Sequence, residues 1–121
     1  MKTTLNEAAR LLQVHPRTIL RAITRKPNPY WVPGHNDEIK VSDVARGFHV
    51  RQTPMEGVFV MEQPLLTPDE AAEMLGVAPR TFRSRSYPAL IRKVQIVRYV
   101  KDAVLEHHYL NHMPADIAEI L

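Results

Sequence analysis

Arginine recurs in this 121-residue chain at spacings that gather guanidinium groups on one side of a short helix. Arg17, Arg21, Thr24 and Arg25 fall together on such a side, with Ile19 and Ile23 turned inward. A second set, Arg80, Arg83 and Ser84, shares an outer side with Phe82 facing in. A guanidinium is a planar fork of donors that pairs bidentately with guanine O6 and N7 or grips a phosphate, so both sets suit recognition of a polyanion. Phosphate and sugar take half to two-thirds of protein–DNA hydrogen bonds, so an arginine chosen at random is more often a backbone contact or a solvated surface residue than a base reader. Arg17 and Arg80, at the starts of their helices, are the candidate readers. Thr18 and Thr81 either touch phosphate or pack on the preceding helix. The flanking cations Arg25, Lys26, His35 and Lys40, and Arg85, Arg92, Lys93 and Arg98, suit backbone contacts that give affinity without reading sequence.

Other chemistry is thin. His108 and His112 sit four apart beside His107, but no Glu motif or third ligand of the right kind accompanies them, so they read as incidental histidines on a helix and no metal is assigned. With no cysteine there is no disulfide, thiolate nucleophile or Cys-based metal site. No glycine-rich phosphate loop or Gly-x-Ser-x-Gly elbow is present, and the carboxylates lie scattered at helix starts, so neither enzymatic activity nor a cofactor is expected. Tyr30 and Trp31 are assigned to packing, as aromatics in a small hairpin.

The elements that must hold the arginines are written twice. Shifting the sequence by 63 positions sets residues 4–18 over 67–81 with nine of fifteen pairs identical, which implies one small unit built in tandem. Thr4 and Thr67 are N-caps with Glu7 and Glu70 three residues on, the capping-box spacing. Ala8, Leu11 and Leu12, and Ala71, Met74 and Leu75, give each first helix one apolar face. Gly76 ends the second copy's helix, Gln13 takes its place in the first, and Pro16 and Pro79 open second helices over roughly 15–25 and 78–86. Hairpins are predicted from Tyr30-Trp31-Val32 with residues 38–41, and from 90–94 with 96–100. Third helices open at Ser42, as a cap, and at Lys101, the latter running to about His112 before Pro114. Residues 49–65 read as a linker with one extra strand at Val58-Phe59-Val60-Met61.

The string Thr-Pro-Asp-Glu-Ala-Ala-Glu-Met-Leu-Gly-Val-Ala-Pro-Arg-Thr-Phe-Arg, residues 67–83, resembles the opening of MerR-type and phage-excisionase-type winged helix–turn–helix domains. The resemblance covers most of the second copy and, more weakly, the first. It implies that the hairpin and last helix of each copy stand in wing positions and that the second helix of each corner enters a DNA groove. Ala78 and His15 depart from the family's usual Ser-like cap, and the second wing lacks the usual glycine.

Composition agrees with a folded chain: 45% hydrophobic and 24% charged residues are ordinary for a globular protein. The length fits one ordinary domain or two very small ones and excludes a large multi-domain enzyme. No apolar run is long enough to cross a bilayer and the first residues lack a signal-peptide core, so a cytoplasmic location is expected. Net charge is +3, distributed as +4 over residues 1–50, +3 over 51–101 and −4 over 102–121. The expected fold is mainly α with small β-hairpin wings: a winged helix–turn–helix domain over 1–48, a linker over 49–65, and a second over 66–121 with a helical tail. The expected partner is duplex DNA, with the apolar tail (Leu105, Leu110, Met113, Ile117, Ile120) available for self-association or a protein partner. The expected roles are transcriptional regulator or excisionase-like recombination directionality factor. Alternatives are a small-terminase-type DNA-recognition subunit or an adaptor that no longer touches DNA.

Overall fold

Thr4 ends one element and begins the next. The computed structural model describes residues 1–24 and 38–112, and in it Lys2–Thr4 form strand β1, followed without a gap by helix α1, Leu5–Leu12. The Thr4 hydroxyl accepts the Glu7 backbone N–H at 3.1 Å, as the capping-box spacing predicts. The reciprocal half differs: the Glu7 carboxylate accepts from Arg10 Nε at 3.1 Å. At Thr67 the box is complete, with Glu70 N–H donating to the hydroxyl at 3.2 Å and the Glu70 carboxylate accepting the Thr67 N–H at 2.9 Å.

The two corners share the same turn. Helix α1 turns into α2, Pro16–Ile23, and helix α5, Pro68–Leu75, turns into α6, Pro79–Ser84. Gln13 (φ 53°) and Gly76 (φ 70°) both hold the left-handed conformation that ends a helix. The next N–H reaches back five residues in each case, from Val14 to Ala9 and from Val77 to Ala72, both at 3.1 Å. Glycine enters that conformation without steric cost, whereas Gln13 must overcome a Cβ penalty of about 1 kcal/mol. Its side chain offsets this by donating to the Leu65 carbonyl and, at 2.6 Å, to the Glu70 carboxylate.

Strand β2, Glu38–Lys40, leads directly into helix α3, Val41–Gly47. The sequence places Tyr30–Val32 opposite residues 38–41, but Tyr30–Val32 lie outside the described residues. Among the described ones β2 pairs antiparallel with β1, Thr3 opposite Ile39, a pairing the sequence reading does not foresee. Ser42 does not cap α3: the cap falls two residues earlier, at Lys40, with no side-chain bond there, and the helix begins at Val41.

Residues 52–61 correct a second expectation. The predicted extra strand is a helix, α4, Gln52–Met61. Met55, Val58 and Phe59 repeat at helical spacing and are the residues it buries, while Pro54 sits in the first turn, where its missing N–H costs nothing. Val60 and Met61, which made the run look strand-like, are exposed at 66% and 71%.

Strands β3, Ile91–Lys93, and β4, Ile96–Arg98, form the hairpin expected of the second copy, in register Ile91 opposite Arg98 and Arg92 opposite Val97. Helix α7, Lys101–His112, follows as predicted. The hairpin joins the two halves because strand residues alternate faces. Ile91, Ile96 and Val100 pack into the first core with Leu11, Leu12, Ile19, Val44 and Phe48. Val97 and Tyr99 pack into the second with Ala71, Ala72, Phe82, Tyr87 and Val104. Leu65 and Leu66 divide in the same way: Leu65 N–H donates to the Leu11 carbonyl at 2.7 Å, and Leu66 bridges Tyr99. No helix among the described residues is long and apolar enough to cross a membrane.

Candidate nucleic-acid interface

Each corner buries one side of its second helix and leaves the arginines on the other. In α2, Ile19 is fully buried, Arg17 and Arg21 are exposed, and Thr18 is half-buried against the fold. His15 caps α2, its Nδ1 accepting the Arg17 N–H at 3.0 Å. In α6, Phe82 is buried, stacked on Tyr87 at 4.5 Å between ring centroids and edge-on to Tyr99 at 5.0 Å. Arg80, Arg83 and Ser84 are exposed, and Thr81 and Arg85 are half-buried. Ala78 supplies no side-chain cap to α6. The Ser84 hydroxyl donates to the Thr81 carbonyl at 2.9 Å. Arg83 approaches Asp69 at 3.6 Å, a loose pair between two largely exposed groups that water and salt weaken. Arg17, Arg21 and Arg80 form no ion pair among the described residues.

The flanking cations divide into different roles. Arg25, Lys26 and His35 lie outside the described residues. Arg92 is exposed on the hairpin. Lys93 crosses to the first half, where its Nζ donates to the Gly47 carbonyl at 2.7 Å and stands 5.5 Å from the centre of the Phe48 ring. Arg98 is anchored inside: Nε donates to the Leu12 carbonyl at 2.9 Å, Nη2 to the Gln13 carbonyl at 2.8 Å, and Nη1 to its neighbour Val97 at 2.8 Å. Burial pulls the Arg98 pKa down and the nearby Glu70 carboxylate pulls it back. Glu70 itself is held below the usual carboxylate range, chiefly by the Thr67 backbone N–H. Arg98 is thus a fastener between the halves rather than a cation offered to phosphate.

The three histidines of α7 gather round one tyrosine. The Tyr87 hydroxyl shares a hydrogen bond of 2.8 Å with His108 Nδ1, and the rings of His107 and His112 stand 5.0 and 5.3 Å from the Tyr87 ring. Among the described residues no group of three His, Cys, Asp or Glu is placed to hold a metal ion. His112 has its pKa lowered from the ordinary 6.5, first by burial and then by the positive charges of Arg85, His107 and His108. The unfolded chain therefore binds that proton more readily than the folded one. Stability from the neutral ring is fully present above about pH 6.5 and is lost as pH falls through the lower folded value. A thermal midpoint measured from about pH 7.5 down to about 5.5, across the ordinary titration range of histidine, is expected to fall on acidification. His112→Gln is expected to fall less steeply; an identical slope would show that His112 is not responsible.

Comparison with protein-family models, curated proteins and solved structures finds no match for this chain.

Proposed function

We propose that this is a cytoplasmic, sequence-specific duplex DNA-binding protein that offers two helices, α2 and α6, to the major groove. One observation carries the reading: at both repeated corners the arginine side is open while the residue beneath, Ile19 or Phe82, is at most 1% exposed. A rigid corner with a protruding helix and outward guanidinium groups has the shape and chemistry for groove entry. The excess of cations over the first 101 residues supports the same partner. The roles it fits are transcriptional regulator and excisionase-like directionality factor, with a small-terminase-type recognition subunit as a third.

The test is selection of bound duplexes from a random pool, followed by titration of the selected site. Arg17→Ala and Arg80→Ala are each expected to weaken specific binding by about 1–3 kcal/mol and relax preference at separate positions. Affinity should fall with rising salt with a log–log slope of about −0.9 per phosphate contact. Exposed Leu105, Tyr109 and Leu110 on α7 favour a second reading, an adaptor that docks a protein. Failure to retain any duplex at low salt would select it.

A further inference from the structure

We infer that hairpin β3–β4, although it follows the second corner in sequence, serves as the wing of the first: α2 and the hairpin tip form one composite face on a single stretch of duplex. This rests on the DNA-binding reading above and adds to it which helix the hairpin accompanies. Three observations converge. The hairpin face bearing Ile91 and Ile96 belongs to the core under α2. Its two ends are fastened to the first half, Arg98 at the α1–α2 corner through the Leu12 and Gln13 carbonyls, and Lys93 at the end of α3 through the Gly47 carbonyl. Between α2 and the tip lies a shallow cleft of about 150 Å³, lined by Thr18, Arg21 and Ala22 from the helix and by Lys93, Val94 and Ile96 from the hairpin. The tip thus stands directly beside the outward side of α2.

The dimensions of B-DNA then fix what the tip meets. A helix seated in a major groove about 12 Å wide has the bounding phosphates immediately alongside it, and the narrower minor groove beyond. An element fixed against the flank of α2 is held over that phosphate strand. The tip has the chemistry for it. Lys93 retains donors beyond the one given to Gly47, Arg92 is exposed on the adjacent strand position, and the turn residues Val94 and Gln95 are both exposed, Val94 at 93%. Val94 also holds φ 54°, uncommon for a β-branched residue, and its side chain stands clear of either core. Because both fasteners reach across to the first half, the tip must travel with α2.

The absence of cysteine makes the test direct, since a single introduced thiol can carry an iron-chelate DNA-cleaving reagent without background. Full-length His15→Cys, Ala78→Cys and Gln95→Cys, labelled in turn, report the positions of the α2 start, the α6 start and the hairpin tip on one selected duplex. All three positions are exposed. The expected result is that cleavage from position 95 falls within about half a helical turn, ~5 base pairs, of cleavage from position 15, and apart from that of position 78. Cleavage from 95 that coincides with 78 and lies a turn or more from 15 overturns the assignment while leaving DNA binding intact. No complex with any duplex removes the DNA-binding reading and this inference together.

Discussion

Gly47→Ala is expected to lower the unfolding free energy by about 3 kcal/mol, the upper part of the range for overpacking a closed contact. Gly47 is the last residue of α3, where that helix crosses α2 at Ala22. A Cβ built at Gly47 would lie 2.6 Å from the Ala22 carbonyl oxygen, 2.8 Å from its carbonyl carbon and 2.9 Å from its Cβ. Two of those atoms are backbone, so no rotamer change relieves the clash; one helix must move. The movement would be felt at once, because Ile19 on α2 and Val44 and Ala45 on α3 are buried at 1% exposure or less and share the same core. The control is Gly57→Ala in α4, where a Cβ meets nothing within 4 Å. There alanine should stabilise, by roughly 0.5–1 kcal/mol, through the lower helix propensity of glycine. Chemical denaturation of both variants checks the pair, and equal midpoints would mean that the α2–α3 crossing is not tight.

What the sequence conveyed was local. Thr67 with Glu70 announces a capped helix within four residues, and Pro16 and Pro79 announce the next helix, because the physics of a helix start is completed inside one turn. The duplicated string made the corners legible twice, and a left-handed Gln13 could be foreseen only through its alignment with Gly76. In α4 the apolar run Val58-Phe59-Val60-Met61, set among Pro54, Gly57 and Pro64, read as a strand within a linker, whereas Met55, Val58 and Phe59 also stand at helical spacing, and contact with the core decided in favour of the helix. Arg98 was illegible for a different reason. A cation in a hairpin has the same local sequence whether it faces phosphate or a carbonyl, and its partners Leu12 and Gln13 lie 86 and 85 positions away. For the candidate site, the outward placement of Arg17, Arg21 and Arg80 follows from helical periodicity alone, whereas the position of the hairpin beside α2 depends on contacts between the halves that no single copy contains.

Arg98→Met should destabilise the chain by about 3 kcal/mol and, more tellingly, uncouple its two halves. The last carbonyls of a helix have no intrahelical partner and form the negative end of its dipole, and two carbonyls at that end of α1, those of Leu12 and Gln13, are satisfied by this one guanidinium. Hydrogen bonds from a charged donor contribute about 1.5–3 kcal/mol each, and the half-buried position lets water recover part of that when the donor is removed, which brings the pair to about the stated figure. Methionine keeps much of the aliphatic stem, so the loss is of the bonds rather than of packing. Arg98→Lys should recover less than half, since an ammonium is a point donor and cannot hold the fork that spans both carbonyls. Hydrogen exchange read residue by residue gives the sharper measurement. Protection at the Leu65 amide, bonded to Leu11, should fall in Arg98→Met, and so should protection along β4. The Glu70 amide, bonded to Thr67 inside the second corner's own capping box, should change far less. Uniform loss at all these sites would mean that the halves still unfold as one unit and that packing of Ile91 and Ile96 on the first core, not the guanidinium, couples them.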